Sequence, residues 1–273
     1  MSARKKLSAL KKIIADMGSV LVAFSGGVDS SFLLKAVSSV LPKDKVLAVT
    51  AVSATYTAEE LSGARSMARQ LGVKHKVIST AELGNKDFVS NPLNRCYFCK
   101  KELFSKLKKL AVRNGLGYVV DAGNFSDKSD FRPGSRAAKE LSIRSPLEEA
   151  GLTKDEIRAA SRSLGLATWN KPALACLASR IPYGMRISVA ALRRIERAET
   201  YLRAKGFGQV RVRHYGRMCR IEVLAKDLPV LIKKRRLIVP RLKKMGYDHI
   251  TMDLEGYRTG SMNPAHKMRV IKR

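Results

Sequence analysis

The segment VLVAFSGGVDSS, residues 20–31, constrains the fold more than any other part of the sequence. Residues 20–24 form a short apolar run rich in β-branched side chains, which is typical of a buried parallel strand. Two glycines then permit a tight turn, and a helical pattern begins near Asp29. A strand that turns directly into a helix exposes backbone N–H groups and the positive end of the helix dipole. The segment therefore predicts a phosphate-binding loop in an α/β domain.

Polar side chains beside the two glycines suit a phosphate chain. The hydroxyls of Ser25 and Ser30 can donate to phosphate oxygens, and Asp29 can orient a Mg²⁺ ion held by the same phosphates. The loop is not a Walker A motif, because no Gly-Lys-Ser/Thr closes it. The alternative is a structural strand-to-helix turn that is capped by Asp and Ser.

Strand-like and helical segments alternate through the first part of the chain. Further strands are predicted at residues 46–52, 76–79 and 117–121, and helices at residues 58–71, 100–114, 136–141 and 153–164. Such alternation predicts a doubly wound parallel sheet. Ligands of open α/β sheets bind at the carboxyl ends of the strands. The candidate contacts after the fourth strand are Gly123, Asn124 and Asp127, with Asp130 and Arg132 as ligand contacts or as a local ion pair.

The alternation of predicted strands and helices stops near residue 169. Residues 169–184 contain two prolines and little periodicity, so we expect a long functional loop at a domain junction. A small α+β unit is predicted beyond it, with helices at residues 189–205 and 228–245 and strands at residues 209–213, 219–223 and 250–254. The predicted domains are therefore residues 1–168 and residues 169–273.

The charge of the chain is unusual. Lys and Arg number 53 against 23 acidic residues, a formal net charge of +30 over 273 residues. Such a field attracts nucleic acid, nucleotides and phosphorylated metabolites, although a basic proteome or a solubility role explains it equally well. The longest apolar runs fall far short of the roughly 20 residues of a membrane helix, and the first 18 residues lack the apolar region of a signal peptide. We therefore expect a cytoplasmic protein.

Four cysteines are too few for a disulfide scaffold in a chain of this length. Cys96 and Cys99 form a CxxC flanked by bases, which fits half a zinc site, a redox pair, cluster ligands or two structural cysteines. Cys176 lies in the irregular segment between Lys171 and Arg180, where cations favour a reactive thiolate.

Two arginines and two aromatic residues complete the candidate set. Arg211 and Arg213 are two residues apart on a predicted strand, so they share one face and could bind a phosphate; a solvated basic strand is the alternative. Tyr97 or Phe98 could stack on a flat ring or belong to the core. Cys219 lies in an alternating strand and is expected to pack in the core.

The string SGG-x-DS resembles the PP-loop pyrophosphatases, which cleave ATP between the α- and β-phosphates. Five further stretches extend the resemblance over residues 24–263 to the LarE family: RCYFCKKELF, AGNFSDKSDFRPG, KPALACLASRIPYG, GQVRVRHYG with CRIEV, and LEGYRTGSMN. That family consists of ATP-dependent sulfur transferases that build the nickel-pincer nucleotide cofactor. The resemblance implies that a pyridinium-3,5-dicarboxylate mononucleotide is adenylated and converted to thiocarboxylates.

The resemblance also implies roles for particular residues. The ATP-binding set is Ser25, Gly26, Gly27, Asp29, Ser30 and Gly123. Cys176 is the sulfur-bearing cysteine, and with Asp29 it forms the catalytic pair. The substrate- and phosphate-binding set is Ser179, Arg180, Glu199, Arg211 and Arg213. The sulfur comes from Cys176 itself, which becomes dehydroalanine, or from sulfide on a [4Fe–4S] cluster held by Cys96, Cys99 and Cys176.

Two other functions stay open at this point. A tRNA-thiolating PP-loop enzyme would use the +30 charge to bind RNA, and a non-catalytic nucleotide-binding regulator could be built on the same fold. For the sulfur transferase we expect ATP, Mg²⁺ and a small nucleotide substrate, a possible sulfide donor, a homo-oligomeric state and no membrane partner.

Overall fold

The computed structural model describes residues 2–129, 132–172, 175–258 and 260–262. Its helices are α1 (Ala3–Met17), α2 (Val28–Val40), α3 (Ala58–Gln70), α4 (Lys86–Val89), α5 (Arg95–Arg113), α6 (Gly134–Glu140), α7 (Pro146–Glu149), α8 (Lys154–Ser163), α9 (Val189–Ala204), α10 (Leu228–Lys233) and α11 (Arg235–Lys244). Its strands are β1 (Val20–Ala23), β2 (Val46–Val52), β3 (His75–Ser79), β4 (Tyr118–Val120), β5 (Val210–Tyr215), β6 (Met218–Val223) and β7 (His249–Met252).

The chain divides into two compact units. The first comprises the described residues of 1–82 and 94–174, and the second those of 83–93 and 175–273. Within the described residues, no helix combines the length and the apolar character that crossing a membrane requires.

The first unit is built on a parallel sheet with the strand order β3-β2-β1-β4. Val20 of β1 is in register with Val46 of β2 on one side and with Tyr118 of β4 on the other. Successive side chains of a strand point to opposite faces of the sheet. Val20 packs with a cluster from α1, α2 and α8, whereas Leu21 packs with a cluster from α5 and α6. Helices therefore cover both faces, which confirms the predicted doubly wound parallel sheet.

The second unit has a mixed sheet with the order β5-β6-β7, in which β5 and β6 are antiparallel and β6 and β7 are parallel. Its core joins this sheet to α9 and α11 through Leu202, Leu242 and the fully buried Tyr247. Cys219 of β6 is buried in the same core, as its alternating strand predicts. This is the predicted small α+β unit.

Two predicted elements differ from the observed ones. Helix α5 begins at Arg95, so the CxxC lies inside its first turns rather than before it. The predicted helix over residues 228–245 is divided at Lys234 into α10 and α11. The Lys234 ammonium donates to the carbonyl of Lys205 at 2.6 Å and lies 5.7 Å from the ring of Phe207. At the point of division, Lys234 therefore contacts two residues that are distant in sequence.

Candidate active site

The loop between β1 and α2 lies at the point where the order of the sheet reverses. From β1 the chain proceeds to β2 on one side, and it later places β4 on the other side. The loops that follow β1 and β4 therefore leave neighbouring strands at the same carboxyl edge. Ligands of open α/β sheets bind in the crevice at such a point.

Hydrogen bonds from the hydroxyl groups of its own serines connect the two ends of the loop between β1 and α2. The Oγ atoms of Ser25 and Ser30 lie 3.0 Å apart, and Ser30 Oγ donates to the carbonyl of Gly27 at 3.2 Å. Gly27 is the N-cap of α2, and no side chain of the described residues caps it. The first N–H groups of α2 thus keep the capacity to bind an anion.

Gly26 adopts the left-handed conformation, with φ +69°. A Cβ at this position would lie 2.9 Å from Cα and 3.0 Å from Cβ of Ala64 in α3. A larger residue would be strained and would also collide with a helix backbone. Glycine is therefore required at position 26 by both conformation and space.

Asp29, in the first turn of α2, is paired with a lysine that the sequence analysis did not select. The Lys154 ammonium lies 2.5 Å from Asp29 Oδ2. Asp29 Oδ1 is buried and has no hydrogen-bond partner among the described residues. A carboxylate oxygen without a protein donor is the kind of ligand that Mg²⁺ takes, so the residues present fit the expected ion. The sequence signal for Lys154 was its place at a helix start, marked by the Thr153–Glu156 capping box.

The loop after β4 is ordered by its own side chains. The N–H of Gly123 donates to Asp121 Oδ1 at 3.1 Å, and the N–H of Asn124 donates to Asp127 Oδ2 at 3.1 Å. Asp127 also pairs with Arg132 at 2.7 Å, so Arg132 takes part in a local ion pair whose partner is Asp127. Burial raises the pKa of Asp127 and outweighs the opposing charge of Arg132. Asp130 lies outside the described residues.

Two further side chains hold carbonyl groups of the loop between β1 and α2. The Tyr56 hydroxyl donates to the carbonyl of Ser25 at 2.7 Å, and the Lys171 ammonium donates to the carbonyl of Gly26 at 3.2 Å. Burial raises the pKa of Tyr56, so the phenol stays protonated and donates. Neither contact follows from local sequence, because both residues are distant from the loop along the chain.

The CxxC lies in the first turns of α5, with Cys96 exposed and Cys99 half-buried. Residues three apart on a helix share a face, and a helix N-terminus favours thiolate, so the pair fits two metal ligands. Among the described residues, no three His, Cys, Asp or Glu side chains are grouped to hold a metal ion. The Tyr97 hydroxyl donates to Glu140 Oε2 at 2.7 Å, and the rings of Tyr97 and Phe98 meet edge to face at 5.4 Å.

In the second unit, Cys176 is exposed and immediately precedes a short 3₁₀ turn, Leu177–Arg180. The Arg180 guanidinium donates from Nη1 to the carbonyl of Cys176 at 3.0 Å and to that of Ala175. Its Nε and Nη2 donate to Oε1 and Oε2 of Glu199 in α9, at 2.9 and 3.0 Å. Arg180 thus connects the backbone of the cysteine loop to the core of its unit.

The predicted substrate-binding residues of the second unit are brought together on one buried network. Arg213 of β5 pairs with Glu222 through two hydrogen bonds, at 2.9 and 2.7 Å, and its Nη1 donates to the carbonyl of Ser179 at 3.0 Å. Arg211 is also buried, and its guanidinium lies 5.3 Å from the ring of Tyr257. Burial, followed by the charge of Arg180, lowers the pKa of Arg211. A solvated basic strand, the alternative for these arginines, is therefore wrong.

Comparison with known proteins identifies the family. A model of the NAD synthase family matches residues 4–89. The chain is 36% identical over 258 residues to pyridinium-3,5-bisthiocarboxylic acid mononucleotide synthase of Lactiplantibacillus plantarum, covering 94% of each protein. The chain belongs to the LarE family. The chain is also similar to an uncharacterised protein of Synechocystis, at 43% identity over 94% of this chain and 97% of the relative. It is 30% identical to an uncharacterised protein of Methanocaldococcus jannaschii, over 93% of this chain and 98% of the relative.

Family membership confirms the resemblance that the motifs indicated. It also agrees with the fold, since β1, β2 and β3 of the parallel sheet and the loop between β1 and α2 lie within the residues that the NAD synthase model matches.

Proposed function

We propose that this LarE-family protein uses ATP to adenylate the carboxylates of a pyridinium-3,5-dicarboxylate mononucleotide and converts them to thiocarboxylates for nickel-pincer cofactor synthesis. The observation that carries the proposal is the SGG-x-DS loop at the reversal point of the sheet. Within the part of the chain that the structure describes, no side chain caps the start of α2 and no group donates to the buried Asp29 Oδ1. The name of the Lactiplantibacillus plantarum relative supports the same substrate class. The first unit is the adenylating domain, and the second unit is the sulfur-transfer and substrate domain.

In the first step, a substrate carboxylate oxygen attacks the α-phosphorus of ATP. The bond between the α-phosphorus and the bridging oxygen breaks, and its electron pair leaves with pyrophosphate. The N–H groups at the start of α2 bind the phosphate oxygens. Asp29 would hold Mg²⁺, which neutralises phosphate charge when it is bound. The substrate carboxylate thereby becomes an acyl adenylate, whose AMP leaves readily.

In the second step, the Cys176 thiolate attacks the acyl carbon, and AMP leaves to give a thioester. The exposure of Cys176 supports this role because a nucleophile must reach its substrate. Loss of the Cys176 Cα proton to solvent, with cleavage of the Cβ–Sγ bond, would then leave the sulfur on the product as a thiocarboxylate and dehydroalanine in the chain. The alternative sulfur source is a cluster held by Cys96, Cys99 and Cys176, which would supply a carrier for sulfide; we derive no step through it.

Intact-mass measurement after turnover tests the sulfur source. Loss from the protein of the mass of one H₂S, located at Cys176 by peptide mapping, supports sacrifice of the cysteine. An unchanged mass, with iron and acid-labile sulfide in anaerobically purified protein, supports the cluster. Conversion of ATP to ADP and orthophosphate would contradict the whole proposal.

A second candidate is tRNA thiolation, which the net charge of +30 favours. The same adenylation would then act on a base carbonyl in RNA. Retention of purified tRNA at physiological salt, together with ATP-dependent incorporation of sulfur into that tRNA, would favour this second function. Thiolation of the free pyridinium nucleotide without RNA would exclude it as the main activity.

A further inference from the structure

Lys171 brings a positive charge to the loop between β1 and α2. Its ammonium lies 3.2 Å from the carbonyl oxygen of Gly26. It also lies alongside α3, since a Cβ at Gly63 would be 3.6 Å from Nζ. The side chain therefore occupies the side of the phosphate-binding loop that α3 faces.

The backbone that carries Lys171 is held in place by α8. The Arg158 guanidinium donates from Nη1 to the carbonyl of Trp169 at 2.7 Å and from Nη2 to the carbonyl of Lys171 at 2.9 Å. The N–H of Lys171 donates to the carbonyl of Thr168 at 3.0 Å, and the Arg162 guanidinium lies 5.0 Å from the Trp169 ring. These contacts order the backbone of the turn, so a ligand that binds Lys171 would have to order only its side chain.

The charge of Lys171 differs from that of Lys154 in one respect. Lys154 is paired with Asp29, so these two charges compensate each other. Lys171 contacts no carboxylate in the described residues, and Gly26 accepts one of the three N–H groups of its ammonium. Among the described residues, two N–H donors of Lys171 and its charge therefore have no partner, and they lie beside the loop that precedes α2. Lysine commonly binds phosphate in this way, as a compact point charge.

We propose that Lys171 is a phosphate-binding residue that exchanges the Gly26 carbonyl for the β- and γ-phosphates of bound ATP. This inference rests on the proposed adenylation. As the bond between the α-phosphorus and the bridging oxygen breaks, negative charge accumulates on the departing pyrophosphate. Lys171 stabilises that charge and so lowers the barrier to adenylation.

The test compares Lys171→Met with Lys108→Met, which removes a charge from an exposed position of α5. Pyrophosphate release is measured at varied ATP, and binding of inorganic pyrophosphate is measured by calorimetry. For Lys171→Met we expect kcat to fall about 100- to 1,000-fold, with a smaller change in KM for ATP. Pyrophosphate affinity should fall about 10- to 100-fold, the usual weight of one charge-assisted hydrogen bond. Lys171→Arg should recover part of both, and Lys108→Met should match wild type.

Each result decides one question. Wild-type kcat and wild-type pyrophosphate affinity in Lys171→Met would overturn the role of Lys171 even if the wild-type enzyme adenylates. If wild-type protein releases no pyrophosphate from ATP, the proposed function fails, whereas the calorimetric comparison still tests the phosphate contact. Circular dichroism verifies folding, and Lys171→Gln replaces the methionine variant if that variant does not fold.

Discussion

The guanidinium of Arg180 and the carboxylate of Glu199 form a bidentate pair, with Nε–Oε1 at 2.9 Å and Nη2–Oε2 at 3.0 Å, and both side chains are buried. Glu199 Oε1 also accepts the N–H of Val212 in β5 at 3.0 Å. The remaining nitrogen of Arg180 donates to the carbonyl of Cys176 at 3.0 Å. The pair therefore links the exposed cysteine loop to α9 and β5, and it gives Arg180 a positioning role beside its expected role toward the substrate.

Removing Arg180 should leave the Glu199 charge buried without its main partner. We expect Arg180→Met to lower the free energy of unfolding by about 3–5 kcal/mol, as in other broken buried pairs. The double variant Arg180→Met/Glu199→Gln should recover part of this loss, because no charge is left uncompensated. Urea denaturation of the two variants and wild type measures the difference. Equal stability of Arg180→Met and wild type would contradict the proposed contribution of the pair to the free energy of unfolding.

The same pair should make the free energy of unfolding depend on pH in the acidic range. Burial by itself would raise the pKa of Glu199, but Arg180 and the accepted hydrogen bonds together bring that pKa below its ordinary value. A carboxyl whose pKa is lower in the folded state stabilises the protein fully above the unfolded pKa, about 4.3. This stabilisation is lost as pH falls through the folded value. The difference in unfolding free energy between wild type and Glu199→Gln should therefore shrink below about pH 4.3; a constant difference would contradict the assignment.

Gly26→Ala should disturb the loop between β1 and α2 more than the same change disturbs the backbone at another glycine with positive φ. Gly115 is the matched control, since its φ is +64° and a Cβ there meets no atom within 4 Å. We expect Gly115→Ala to cost about 1 kcal/mol for its backbone conformation alone. Gly26→Ala adds a collision with Ala64, so it should cost more and also weaken ATP binding. Denaturation and nucleotide titration of both variants measure this; equal effects would show that space around position 26 is not limiting.

Asp29→Asn should abolish most pyrophosphate release. The variant loses a carboxylate ligand for Mg²⁺ and leaves Lys154 without its partner. We expect kcat to fall at least about 100-fold, with a requirement for higher Mg²⁺. Asp155→Asn, an exposed acidic position in the first turn of α8, is the control and should behave as wild type. Pyrophosphate release over a Mg²⁺ titration provides the measurement. Wild-type rates in Asp29→Asn would remove Asp29 from the mechanism.

Cys176→Ala should separate the two chemical steps. Without the thiol, the variant should still exchange pyrophosphate into ATP when substrate is present, but it should form no thiocarboxylate. Thiol alkylation of wild-type protein should modify exposed Cys176 and spare Cys219, because burial raises the pKa of Cys219 to about 12. Product formation is followed by mass spectrometry. Unchanged thiolation in the variant would exclude Cys176 as the nucleophile.

Local sequence was a reliable guide wherever neighbouring residues decide the structure. The run before Ser25 needs an apolar environment on both sides, so it forms an interior strand, and the two glycines that follow allow the chain to turn into α2. Periodicity likewise located β2 at Val46–Val52 and α8 near Lys154–Ser163. Helix α5 begins at Arg95, about five residues before the predicted start at residue 100, so it includes the CxxC.

The sequence by itself determined the parallel sheet, the glycine turn between β1 and α2 and the choice of cysteine candidates, because these follow from strand and helix periodicity and from residues adjacent in the chain. Only the tertiary structure decided that Lys154 pairs with Asp29, that Lys171 reaches Gly26, and that residues 83–93 belong to the second unit. Such contacts join residues far apart in sequence. The packing of whole helices and strands decides which distant residues meet, and a local sequence pattern does not show which they are.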